Sequence, residues 1–112
     1  MSERVRRIAS NESVFRTVNA EIEKLGRGLA DISDETFHMV CECGEIACAE
    51  LIVVPTPDYE RIRSDDTLFF VKPGHAKPDV EDVVEKTRRY HVVRKRVPEA
   101  VAIVEQTAPE PP

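Results

Sequence analysis

Three cysteines fall within eight residues, Cys41-Glu42-Cys43-Gly44-Glu45-Ile46-Ala47-Cys48, and the chain has no others. Any fold open to this chain must therefore bring three soft, oxidisable side chains to one place. The count is odd and the spacing closes no long loop, which fits a secreted disulfide framework poorly. In a reducing compartment, clustered cysteines point to metal or redox chemistry instead.

Strand alternation favours the metal. Residues two apart in an extended strand share a face, so Cys41 and Cys43 project together while Glu42 points away. A disulfide between such neighbours needs a strong distortion, and pairing either one with Cys48 leaves an odd thiol. Gly44 lets the chain turn, and the loop to Cys48 returns a third thiolate to the same place. One more donor completes the tetrahedron that zinc prefers. His75 is the best placed, because Pro73-Gly74 turns the chain directly before it. His38 has the wrong strand parity for Cys41 and Cys43, and His91 lies inside another β-prone run. Glu45, Glu50 or a water are the alternatives for the fourth position, and three cysteines packed without metal are the alternative to the whole assignment. The expectation is a structural Zn2+ held by Cys41, Cys43, Cys48 and His75.

A chain of 112 residues buries only a small core, which such a metal supplements. The predicted fold class is α+β, a single domain with an N-terminal amphipathic helix packed on a roughly four-stranded, mainly antiparallel sheet that carries the zinc-binding hairpin loop. Ser10 and Asn11 are N-cap types, and Val14, Val18, Ile22 and Leu25, with Phe15 and Leu29, recur at helical spacing as far as Gly26 to Gly28. The first ten residues either extend this helix or fray. Residues 36–41 and 51–54 read as a hairpin around the cysteines, Thr56-Pro57-Asp58 opens a short helix through Ile62, and Leu68 to Val71 is a third strand. Pro78 or Asp79 opens another short helix containing Val80, Val83 and Val84, and Tyr90 to Arg94 is a last strand. The domain spans 1–97. Residues 98–112 lose periodicity and read as a disordered Pro/Glu tail, in which Val101 to Val104 could dock or form a helical turn.

The composition, 41% hydrophobic and 33% charged, is that of a soluble globular protein, and runs such as Leu51-Ile52-Val53-Val54 are far too short for a membrane. The charged opening Met1 to Arg7 is followed by no apolar segment of the kind a secretory signal has, so a cytoplasmic location is expected. A net charge of −5 argues against a surface built wholly for nucleic acid. Yet the stretch 86–96 is basic without an acid in it, through Lys86, Arg88, Arg89, Arg94, Lys95 and Arg96. Its alternation reads as a solvent-facing edge strand whose cations discourage edge pairing.

No nucleophile elbow, P-loop or H-E-x-x-H helix is present. A three-thiolate zinc is electron-rich and a weak Lewis acid, so an enzyme is not expected. A protein-interaction or regulatory module ranks first. A nucleic-acid-binding regulator using residues 86–96 ranks second, and a zinc-dependent hydrolase third.

Cys41-x-Cys43-x4-Cys48, then Tyr59-Glu60-x-Ile62-Arg63, then Phe70-Val71-x-Pro73-Gly74-His75, then Pro78-x-Val80-Glu81-x-Val83-Val84-Glu85 together resemble a group of short uncharacterised bacterial proteins. The resemblance covers Asn11 to Val93. It implies that the three cysteines and His75 act as one unit, and it implies no activity.

Overall fold

The computed structural model describes residues 3–28, 36–48 and 50–108. Helix α1 (Glu3–Gly28) leads into a hairpin of β1 (Thr36–Val40) and β2 (Leu51–Pro55). Then follow α2 (Thr56–Arg63), β3 (Leu68–Val71), β4 (Glu81–Lys86), β5 (His91–Lys95) and α3 (Pro98–Gln106). The α+β class, the N-terminal helix and the hairpin are as expected. The strands, however, form two antiparallel sheets, β1-β2 and β3-β5-β4.

The division has a local cause at the cysteine loop. The Cys41 amide donates to the Glu50 carbonyl at 2.9 Å, which prolongs the hairpin by one pair. The next amide, on Glu42, faces the opposite way and donates to the Phe70 carbonyl of β3, also at 2.9 Å. The strand thus changes partner as it enters the loop, and the two sheets are tied together there.

All of β3 is buried, because an apolar cluster covers each of its two faces. Leu68 and Phe70 share one apolar cluster with Met39, Ile52 and Tyr59. Phe69 and Val71 belong to the other, with Ala9, Val104, Cys41 and Cys43. Two of the cysteines are therefore core residues.

Helix α1 begins at Glu3, so the first residues extend it, and Ser10 and Asn11 lie inside it. The predicted apolar stripe is not its buried face: Val14, Val18 and Leu25 are 59%, 42% and 71% exposed. Leu29 lies outside the described residues. The helix instead buries Ile8, Ala9, Glu12, Ser13, Arg16 and Asn19. Each long polar side chain on that face finds a partner. Arg16 donates to the carbonyls of Asp66 at 2.8 Å and Val104 at 2.6 Å and lies over the Phe69 ring. Asn19 donates to the Val40 carbonyl and accepts from the Val40 amide, both at 2.8 Å. Glu12 pairs with Lys95, which also pairs with Glu81, and these three side chains are fully buried or nearly so. Burial pushes the Glu12 carboxyl well up, with Lys95 opposing and Glu81 reinforcing the shift. One ammonium cannot neutralise two carboxylates away from water. Polar groups that pair with other elements of the fold can replace an apolar stripe at such a face, and periodicity does not register that substitution.

Three further expectations are corrected. The helix proposed from Pro78 or Asp79 is strand β4, with a bulge at Val84 between the pairs Val83↔Val93 and Glu85↔Val92. Two adjacent β-branched valines suit a strand, and the bulge hides the period of two that would have revealed it. The basic strand β5 is consequently central, between β3 and β4, and its Lys95 is 3% exposed. Residues 98–106, expected within a disordered tail, form α3, which packs on α1 and buries Ala100 and Val104. That helix starts at a proline, a first-turn position where the missing N–H costs nothing. Residues 109–112 lie outside the described residues.

Candidate metal centre

Cys41 and Cys43 leave β1 on the face opposite Glu42, as alternation requires. Gly44 then turns the chain at φ +83°, a conformation that L side chains rarely adopt. Space for a side chain is tight there as well. A Cβ would lie 3.0 Å from Ile8 Cγ2 and 3.2 Å from Glu12 Cγ, so the loop sits directly on α1. Asn11 of that helix donates to the Gly44 carbonyl at 3.0 Å, and the Cys48 amide closes a turn on the Glu45 carbonyl at 3.0 Å.

The second loop comes from the far end of β3. Lys72-Pro73-Gly74-His75 is a turn in which the His75 amide donates to the Lys72 carbonyl at 2.9 Å, with Gly74 at φ +89°. Proline second and a left-handed glycine third are the residues of a type II turn. The turn delivers the imidazole over the cysteine loop.

Four potential ligand atoms meet there: the sulfurs of Cys41, Cys43 and Cys48 and a ring nitrogen of His75, all within 4.8 Å of one another. Nδ1 of His75 lies 3.6 Å from Cys41 Sγ and 3.7 Å from Cys48 Sγ. Zinc bonds of about 2.3 Å to sulfur and about 2.0–2.1 Å to nitrogen give tetrahedral edges of about 3.6–3.8 Å. The imidazole thus stands at metal-sharing distance from two sulfurs.

A backbone donor orients one of the sulfurs, in the manner of the outer hydrogen bonds around zinc sites: the Lys72 amide donates to Cys41 Sγ at 3.2 Å. The Cys43 thiol is held down to about 4, first by the hydrogen bond from Cys41, while that same contact and burial push Cys41 up. A cation bound at the cluster would displace the protons of these thiols. Cys41 and Cys43 are buried, whereas Cys48 and His75 are half-buried, so the cluster opens to one side.

The structure brings together the three cysteines and the favoured histidine. Among the described residues the other two histidines stay apart: His38 is exposed opposite Val53, and His91 sits on β5 opposite Val71. The carboxylate alternatives are engaged elsewhere, Glu45 with Lys77 at 3.3 Å and Glu50 with Lys72 at 2.9 Å.

Sequence reasoning did not anticipate what stands behind the cluster. Glu42 points away from the cysteines, as expected, but into the core, where it pairs with Arg63 and accepts from Asn19 at 2.8 Å and from the Phe70 amide at 3.0 Å. The Glu12–Lys95–Glu81 network supports both ligand loops. Glu12 backs Gly44, and Glu81 accepts from the amide of Lys77, two residues after His75, at 2.9 Å. One sequence signal does bear on it: Lys95 shares strand parity with buried Val93.

Fold and site together define a small α+β domain whose Cys3His cluster could hold one metal ion. Compared with family models, curated proteins and solved structures, the chain matches none of them. Among the described residues, no helix is long and apolar enough to cross a membrane.

Proposed function

We propose that the cluster holds a structural zinc ion through Cys41, Cys43, Cys48 and His75, and that the domain acts as a protein-interaction or regulatory module rather than an enzyme. The observation that carries the metal assignment is the position of His75 Nδ1, 3.6 and 3.7 Å from two sulfurs. Soft thiolates with one imidazole select zinc over the hard divalent cations. Four protein donors complete a tetrahedron, which is the pattern of structural rather than catalytic zinc. Free thiolates of this kind suit the reducing cytoplasm.

A protein partner is favoured over nucleic acid by the fate of the basic stretch. Lys95 is buried in its ion network, Arg94 faces Asp65 at 3.4 Å, and Arg96 faces Asp82 at 3.9 Å. Half of the six cations counted in the sequence are thereby committed within the molecule.

The test of the ligand set is a histidine scan. His75→Ala should lose zinc to a competing chelator far faster than His38→Ala or His91→Ala. Equal zinc retention by all three variants would refute the assignment of His75.

A further inference from the structure

The hairpin has two outer edges, and they differ. In the β1-β2 register the residue numbers of each pair sum to one constant, and the pair Cys41↔Glu50 is a hydrogen-bonded one. Antiparallel ladders alternate, so Ile52 and Val54 turn their backbone groups toward β1. Leu51 and Val53 turn theirs outward. The same phase points Val40 and Glu42 of the first strand outward, and both are occupied: Asn19 takes the amide and carbonyl of Val40, and Phe70 takes the amide of Glu42. Among the described residues, no strand pairs with the outer edge of β2.

That edge lines an open groove of about 580 Å3 together with Arg88 and Arg89 of the β4–β5 turn and with Lys72, Pro73 and His75. The turn is firmly built: Thr87 and Tyr90 exchange backbone and side-chain hydrogen bonds of 2.8–3.0 Å, leaving both arginine side chains out of its architecture. Both arginines are exposed, and neither has an acid partner among the described residues. Leu51, 63% exposed, gives the groove an apolar contact.

From these features we infer that the groove binds an extended acidic segment of a partner protein, which adds as a strand to β2 through the backbone of Leu51 and Val53. Acids of the segment meet Arg88 and Arg89. Strand addition obtains affinity from main-chain hydrogen bonds and specificity from side-chain positions, and here the specificity is a preference for negative charge. The inference rests on the interaction-module reading and names its partner by chemistry. Lys72 and His75 line the same groove, so the ligand loop is part of the binding surface.

The experiment pans a phage-displayed library of random peptides against the immobilised full chain loaded with zinc. Peptides enriched in Asp and Glu are expected. Selected peptides should bind Arg88→Ser/Arg89→Ser about tenfold more weakly, the sum of two exposed charge contacts. Their binding should slow hydrogen exchange at the amides of Leu51 and Val53. Val53→Pro, which removes an outward donor and leaves the ladder to β1 intact, should abolish binding without loss of zinc. Absence of acidic enrichment, or equal binding by the arginine variant, would overturn the inference. So would a short RNA that displaces the peptides and protects the same amides, which would assign the groove to nucleic acid. Zinc content measured on the same samples separates the two readings. Zinc-loaded protein that selects nothing removes the groove alone, whereas zinc-free protein that still selects acidic peptides removes the metal and keeps the groove.

Discussion

Gly44 and Gly74 both turn a ligand loop with a left-handed backbone, but only Gly44 does so against another element. An alanine at either position meets a conformational cost of about 1–2 kcal/mol. At Gly74 nothing lies within 4 Å of the added carbon, so that cost stands alone. At Gly44 the new methyl also meets Ile8 Cγ2 at 3.0 Å and the Ile8 carbonyl oxygen at 3.2 Å, and the helix backbone cannot give way cheaply. Urea denaturation should therefore find Gly44→Ala clearly less stable than Gly74→Ala; equal losses would mean that the loop does not rest on α1. At this scale the sequence was largely legible. Parity separated His38 from the cysteines and placed Cys41 beside Cys43, and the Pro-Gly pair marked the turn that brings His75 over them. Parity also sent Glu42 away from the cluster, but nothing local indicated that Arg63, Asn19 and the Phe70 amide would receive it. Those partners are separated from it by 21 to 28 residues of chain.

Single elements were harder to read where tertiary partners decide them. The strand β4 reads as a helix in sequence because its bulge breaks alternation, and without β4 the strand β5 looks like an edge. With β4 in place, β5 is central and Lys95 faces inward beside Val93, between Glu12 and Glu81. Removing its ammonium strands two buried carboxylates, so Lys95→Met should cost about 3–5 kcal/mol, the range for breaking a buried ion pair from one side. Its neighbours in the basic stretch behave differently. Arg94→Ser removes only an exposed contact to Asp65 and should cost less than about 1 kcal/mol. Chemical denaturation of the two variants checks this, and a Lys95→Met protein as stable as Arg94→Ser would contradict the buried network. Helix α1 shows the same limit from the other side. Its Val14, Val18 and Leu25 carry the helical period that sequence analysis detects, while the face that packs is polar and is identified only by its partners.

Across the whole molecule, the candidate metal ligands come from two loops that belong to different sheets. Cys41, Cys43 and Cys48 lie between β1 and β2, and His75 follows β3, so a bound ion would fasten the hairpin sheet to the three-stranded sheet near the point where Glu42 already bridges them. The domain keeps its apolar side chains in two clusters with ion networks between its layers, and one of those clusters contains Cys41 and Cys43. Binding energy at such a site is folding energy. The most direct test is to measure zinc by elemental analysis in the purified protein and then follow its fold by circular dichroism as a strong chelator withdraws the metal. One zinc per chain is expected, with loss of the cooperative thermal transition on chelation and its return when zinc is restored; protein that carries no zinc, or that keeps the same transition after chelation, would rule out a structural zinc.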